Sequence, residues 1–270
     1  YQNKLDLLNS PVAMHFDTSK LGTYLRGVGE QRNIVSVDGN FSHVQVDEDG
    51  FIKTLCLDDG RDFGCDFVFD CSGFAKLLIG KYYKVPWVSY TDYLPMKKAV
   101  AFNLEPEQDV KPYTQAIAMK YGWMWKIPVQ DRIGAGYVFD SDYLKDEEAI
   151  DEAQQFLGQT ISNVRSIPFN AGTHNQFWVK NCISMGLASS FVEPLEATGL
   201  VTTHEQITRL CTTLSGREGY TNRAEIDMMN LVADLEIDGF MTFISAHYAF
   251  SRREGKYWQT VSDDISYNFK

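Results

Sequence analysis

Two periodicities alternate along the chain, one of three to four residues and one of two, so both helices and strands are expected. Leu21, Tyr24, Leu25 and Val28 share one face of a first helix, which Asp17 or Thr18 can cap. Three strands are predicted next, at 33–37, 41–46 and 51–57, with Asp49-Gly50 and Asp59-Gly60 as turn signals. Residues 66–70 form a nearly continuous apolar run, the pattern of a strand covered on both faces. The run ends Asp70-Cys71-Ser72-Gly73-Phe74, and a glycine closing a buried strand lets backbone or ligand come close. From about Trp87 the pattern shifts to short strands and short turns, at 98–104, 113–119, 123–128 and 133–139, which reads as an antiparallel sheet. Trp123 and Trp125 lie two apart in one of these strands, so both rings point to one face, with Ile127 beside them. On the residues alone that is an aromatic core ridge.

An acidic helix is predicted over 146–158, with Ile150, Ala153 and Leu157 inward. A short apolar run at 182–188 then leads into Phe191-Val192-Glu193-Pro194-Leu195-Glu196-Ala197-Thr198-Gly199-Leu200. Beyond it Leu200, His204, Ile207, Cys211 and Leu214 recur at helical spacing, so the stretch is a turn between strand and helix. Thr198 can cap that helix, and Gly199 has no side chain to block close approach. Unpaired amides at a helix start carry partial positive charge, which makes the turn a candidate anion nest with a carboxylate beside it. A helix start that is merely capped is the plain alternative. Pro194 biases Glu193 toward extended backbone, which keeps Glu193 and Glu196 off one helical turn. The last stretch, 223–253, reads as helix with Gly239 as an interruption.

Composition narrows the possibilities. A chain of 270 residues can build one large domain or two small ones around a substantial core. A net charge of −11 without any basic stripe argues against nucleic acid as a partner, because nothing would neutralise phosphates. The five cysteines (Cys56, Cys65, Cys71, Cys182, Cys211) are odd in number and include no Cys-x-x-Cys pair. They read as reduced, mostly buried thiols of a cytoplasmic protein. No apolar stretch is long enough to span a bilayer. His247 has no second His or Cys at ligand spacing, so no metal site is expected. No Gly-x-Gly-x-x-Gly follows an opening strand, so the chain is either a piece of a longer protein or not a dinucleotide binder.

Two long motifs carry a resemblance. Asn181-Cys182-Ile183-Ser184-Met185-Gly186-Leu187-Ala188-Ser189-Ser190 continuing to Leu200, and Gly122-Trp123-Met124-Trp125-Lys126-Ile127-Pro128 upstream, resemble the signatures of the flavin-dependent tryptophan halogenases. Asp70–Phe74 is similar to that family's strand end, His15-Phe16-Asp17 to its entry into the first helix, and His247-Tyr248 with Tyr257-Trp258 to its later helical region. The likeness runs from about His15 to Trp258. It implies that the family's amino-terminal flavin motif, its catalytic lysine and its last helices fall outside this chain. The implied fold is α/β: an FAD-binding Rossmann-like, three-layer arrangement of the glutathione-reductase type, with an inserted, mostly antiparallel substrate-side sheet and carboxy-terminal helices. Residues 1–86 and 172–220 would belong to the FAD-binding domain, 87–171 to the inserted sheet, and 221–270 to the helical region.

The chemistry the resemblance implies uses FADH2 and dioxygen to turn chloride or bromide into hypohalous acid. That oxidant crosses an internal tunnel and halogenates an electron-rich aromatic substrate such as tryptophan or another indole, while a separate flavin reductase supplies FADH2. By the same carry-over, Glu196 is the catalytic carboxylate and the amides of Thr198 and Gly199 hold the halide. Phe41, Gly73, Gly186, Leu187 and Leu200 lie along the cofactor. Trp123, Trp125, Ile127 and Pro128 become a wall between flavin and substrate. Ala197 stands where the family usually has Ser, which removes a hydroxyl beside the carboxylate. The arene, the carbon attacked, the halide and the oligomeric state stay open. Two other readings share part of this pattern. A flavin monooxygenase or reductase of the same fold would need neither the paired tryptophans nor Pro-Leu-Glu-x-Thr-Gly. A non-catalytic remnant of the flavin fold would need no intact Glu196-x-Thr198-Gly199.

Overall fold

The computed structural model of the protein describes residues 14–215 and 221–269; residues 1–13, where the chain opens in mid-pattern, lie outside the described residues. Helix α1 (Thr18–Gln31) starts at Asp17, whose Oδ1 accepts from Ser19 N and Lys20 N at 2.8 and 3.1 Å. It closes where Ile34 N–H donates back to Gly29 O at 3.0 Å. The strand predicted at 33–37 does not form: Val35 is 82% exposed, and no strand among the described residues pairs with it. Strands β1 (Phe41–Val46), β2 (Ile52–Leu57) and β3 (Asp62–Gly64) make an antiparallel meander, followed by β4 (Val68–Asp70). Next come β5 (Trp87–Ser89), β6 (Lys98–Leu104), β7 (Gln115–Ala118), β8 (Gly122–Pro128), β9 (Ile133–Phe139) and helix α2 (Asp146–Leu157). Short strands β10 (Arg165–Pro168), β11 (Gly172–His174), β12 (Trp178–Val179), β13 (Cys182–Ser184) and β14 (Ser190–Phe191) lead to helices α3 (Thr198–Ser215), α4 (Arg223–Ala249) and α5 (Lys256–Asn268).

The largest sheet has the order β10-β6-β9-β8-β7 and is antiparallel throughout. Alternation along its strands gives it two apolar faces. One packs Val100, Phe102, Tyr137 and Phe139 against Ala149 and Ala153 of α2. The other sets Trp123 and Val138 against Ile237, Ile244 and Tyr248 of α4 and Trp258 and Val261 of α5. Strand β5 pairs with β11 in a separate small sheet, so the large sheet begins at Lys98 and not at Trp87.

Strand β4 pairs in parallel with β13, at the edge of a sheet ordered β12-β13-β4. Val68 and Asp70 are buried while Phe69 is 48% exposed, so only one face of this strand is covered among the described residues. The run of apolar residues predicted two covered faces. Asn181 fastens the meander here: its Oδ1 accepts from Ile52 N at 2.9 Å, and its Nδ2 donates to Ile52 O and Asp66 O at 2.7 and 2.9 Å. Asn230 does the same for α4, accepting from Phe177 N and Trp178 N and donating to Trp178 O.

Three further expectations need correction. Helix α3 buries Thr198, Thr202, Gln206 and Leu210, while Leu200, at 61% exposure, and Ile207 face outward. Two of the buried polar members are satisfied: Thr202 Oγ1 donates to Gly199 O at 3.0 Å and Gln206 Nε2 to Ser189 Oγ at 3.2 Å. Helix α4 runs through Gly239 without a break, because Ile237, Met241 and Ile244 packed in the core offset the ~1 kcal/mol cost of a helical glycine. All five cysteines are free, but only Cys56 and Cys182 are buried. Among the described residues no helix is long and apolar enough to cross a membrane.

Asn181 generates a first test. Asn181→Ala leaves buried backbone groups of Ile52 and Asp66 without partners, each costing about 1–3 kcal/mol. Urea unfolding is expected to show a loss of roughly 2–4 kcal/mol; a change within about 0.5 kcal/mol, the range of a surface substitution, would contradict this docking role.

Candidate functional site

Two glycines in the left-handed region bring the ends of β4 and β13 into tight turns. Gly73 has φ +65° and Gly186 φ +59°, where an L side chain is strained. The turns they open, Gly73–Ala75 and Gly186–Ala188, pack against each other. After β14 the chain makes one 3₁₀ turn, Pro194–Glu196, entered by Glu193 in extended conformation, as the proline dictates. Ala197 then takes φ +53°, ψ +31°, which costs a non-glycine residue roughly 1–2 kcal/mol and redirects the chain into α3.

Thr198 is therefore the first helical residue and not the predicted cap. Its Oγ1 is buried and has no hydrogen-bond partner. The amides of the first turn, including Thr198 and Gly199, have no acceptor within the helix. A Cβ built on Gly199 meets nothing within 4 Å, so there is open space beside the start of the helix. That space is a cavity of ≈ 360 Å³ lined mainly by apolar groups, among them Gly186, Leu187, Phe191, Ala197, Gly199 and Leu200.

The two glutamates of the turn have opposite surroundings. Glu196 is 40% exposed, and its Oε1 lies 3.0 Å from His247 Nε2 on α4. His247 Nδ1 lies 3.1 Å from Phe243 O, an obligatory acceptor, so Nδ1 carries a proton. Glu193 has 0% exposure. Its Oε1 accepts from Met96 N at 3.3 Å; its Oε2 accepts from Trp123 Nε1 at 3.3 Å and from the Tyr248 hydroxyl. Burial pushes its carboxyl up to about 7 despite these donors, and burial together with the Glu193 charge holds the Tyr248 hydroxyl well above its ordinary range.

Trp123 and Trp125 point to one face, their centroids 6.2 Å apart. Trp125 lies flat across Gly136: a Cβ there would stand 2.1 Å from Trp125 Cη2. Trp125 and Leu195 pack against the same core as Trp123, Val192 and Tyr248. The sequence-predicted residues are thus only partly brought together. Gly186, Leu187, Gly199 and Leu200 line one cavity, with Glu196 and Thr198 in the turn at its edge and Gly73 on the adjoining turn. Trp123 reaches that turn through Glu193. Ile127 and Pro128 do not: the strand carries them toward His15, whose Nδ1 bonds to Pro128 O at 3.0 Å in a plain packing role. Phe41 packs in another small core with Ile52, Val68 and Leu78. Glu193, Tyr248 and His247 were not picked out by the sequence. A charged residue set directly after the apolar pair Phe191-Val192 was the one available hint for Glu193.

The tryptophan halogenase family model matches residues 3–268. The chain is 34% identical over 262 residues to tryptophan 6-halogenase SttH of Streptomyces toxytricini, covering 92% of this chain and 48% of that protein. It is 35% identical over 254 residues to tryptophan 7-halogenase RebH of Lentzea aerocolonigenes, again covering 92% and 48%. The chain belongs to the tryptophan halogenase family. Among solved structures, BrvH, a flavin-dependent halogenase from Brevundimonas sp. BAL3, superposes with a TM-score of 0.86 at 33% identity, covering 92% of this chain and 51% of that one. The fold is accordingly the Rossmann-like α/β fold of these halogenases with its added antiparallel sheet. The chain spans about half the length of the curated relatives it matches.

Glu193 sets a pH dependence in the stability of this chain. Its folded value, about 7, lies above the ordinary 4.5, so between these values the folded state holds a proton that the unfolded chain has released. Its contribution to stability is full below about 4.5 and is lost as pH rises through about 7. The difference in unfolding free energy between the wild type and Glu193→Gln is expected to fall across that window in urea titrations. A difference that stays flat would mean the carboxyl is ionised throughout.

Proposed function

We propose that this chain is part of a flavin-dependent halogenase that places chlorine or bromine on an electron-rich ring such as tryptophan or another indole. One observation carries the reading: Glu196 and the first residues of α3, Thr198 and Gly199, flank a single turn at the edge of an apolar cavity. The residues present suit FAD. Gly186 and Gly199 leave room for a flat ring, the lining is mainly apolar, and the unpartnered Thr198 Oγ1 beside free helix amides suits an anion held against that ring. On this reading Gly186, Leu187 and Leu200 hold the ring, and Gly73 lets it approach the end of β4. Bound as FADH2, the cofactor supplies with dioxygen the oxidising power that turns halide into hypohalous acid.

The chain's own residues do the rest. The amides of Thr198 and Gly199 hold halide without a competing carboxylate. Trp123 and Trp125 exclude water from the path to the arene, which prevents loss of the oxidant. Glu196 stabilises the positive charge of the attacked ring and accepts its proton, and the contact of His247 Nε2 with Oε1 fixes the carboxylate's orientation. Residues 1–86 and 172–220 form the flavin side, 87–171 the substrate side and 221–270 the closing helices. A separate reductase supplies FADH2 in the cytoplasm.

The test uses the full-length protein with a flavin reductase, bromide and an indole. Glu196→Gln is expected to keep its melting temperature and flavin affinity and to lose about two to three orders of magnitude in halogenation rate. A variant that loses stability but keeps its turnover per folded molecule would make Glu196 a helix-start residue only. Oxygenated product from the wild type would point to a monooxygenase, and no product with no flavin bound to a non-catalytic flavin fold.

A further inference from the structure

The pair of glutamates is tied into a closed ring of links. Covalently, Glu193 reaches Glu196 through Pro194 and Leu195, the 3₁₀ turn whose proline fixes its first φ. Glu196 then bonds to His247, His247 is followed on α4 by Tyr248, and the Tyr248 hydroxyl donates back to Glu193. Neither carboxylate can shift without moving the other or breaking a hydrogen bond. The same buried group also takes the Trp123 indole N–H from β8 and the Met96 N–H that precedes β6. Three separate segments therefore converge on one side chain, each through a directional donor.

Stability alone does not account for a carboxylate here. A buried charge is expensive, and well-packed apolar groups in its place are often neutral or stabilising. What a carboxylate does that an apolar group cannot is fix the angle of every donor that reaches it. We propose that Glu193 is a positioning residue: it sets the orientation of Trp123 and, through the turn and the Tyr248–His247 pair, that of the Glu196 carboxylate. This rests on the reading of Glu196 given above. The other titratable groups that face it are Tyr248 on α4, Tyr257 on α5 and Asp140 just after β9, the last paired with Lys97 at 3.7 Å.

Glu193→Gln is the informative change. The amide offers one oxygen and one NH2, so whichever way it turns, a donor confronts either Met96 N–H or Trp123 Nε1–H, and the ring of links must relax. In the full-length protein, the imidazole ¹⁵N resonances of His247 are expected to move, because they report its contact with Glu196 and need no turnover. The kcat of halogenation is expected to fall about tenfold to a hundredfold, the effect of roughly ångström-scale misplacement, with the KM for the indole and the flavin affinity within about twofold. Tyr248→Phe, which deletes one link and keeps the ring's shape, is expected to change both readouts in the same direction by less. If Glu193→Gln does not fold, Tyr248→Phe decides by the same two readouts. His247 resonances and kcat per folded molecule both at wild-type values would overturn the proposal. Full halogenation by Glu196→Gln would instead end the reading of Glu196, while the resonance measurement would still test the linkage between the two glutamates.

Discussion

Withdrawing a carboxylate from water costs several kcal/mol, and the protein meets that cost at Glu193 with three donors from three parts of the chain. The arrangement constrains everything around it. Strand β8 must present the indole N–H of Trp123 inward, which puts Trp125 on the same face and forces glycine at 136 beneath its ring. Helix α4 must bring Tyr248 to the carboxylate, which leaves His247 at the outer edge against Glu196. The 3₁₀ turn must be short and proline-led, and its exit through a left-handed Ala197 turns the chain into α3 at the edge of the cavity. Removing any one of these requirements loosens the others.

Glu193 and Glu196 also show how neighbouring identical residues acquire different chemistry. They stand three positions apart, yet one is fully buried among neutral donors and the other meets an imidazole at the surface of the described chain. The difference comes from Pro194, which ends the extended segment and swings the chain by one turn before Glu196. Environment, not residue type, divides the work between a fixed internal charge and an accessible one.

Much of the fold was legible in the residues. The four long strands of the large sheet, the acidic helix, the Asp17 cap and the extended Glu193 follow from periodicity, capping and proline geometry. The failures share a cause. Hydropathy placed Leu200 and Ile207 inside α3, but Thr198, Thr202 and Gln206 are the buried positions; Thr202 and Gln206 find partners in Gly199 O and Ser189 Oγ that hydropathy does not record. Residues 33–37 look like a strand, and a strand needs a neighbour to pair with. Glu193 was hidden for the same reason: its burial depends on Tyr248 and Trp123, which lie 55 and 70 residues away. Trp123, Trp125, Glu196, Thr198 and Gly199 were singled out by motif resemblance, which needs no knowledge of the contacts.

The clasp at Asn181 has a consequence for the order in which the chain folds. Ile52 and Asn181 meet across 129 residues, and β4 pairs with β13 over a comparable span. Contacts so distant form late unless the intervening chain is shortened first. The five-stranded sheet is that shortening. It lies wholly within the interval, β7, β8 and β9 follow one another through short turns, and β5 pairs with β11 on either side of it. Once the sheet has collapsed and β5 has met β11, only residues 71–86 and 175–181 separate the two halves of the parallel pair. The inserted sheet thus shortens the loop that pairing β4 with β13 must close in the layer it interrupts.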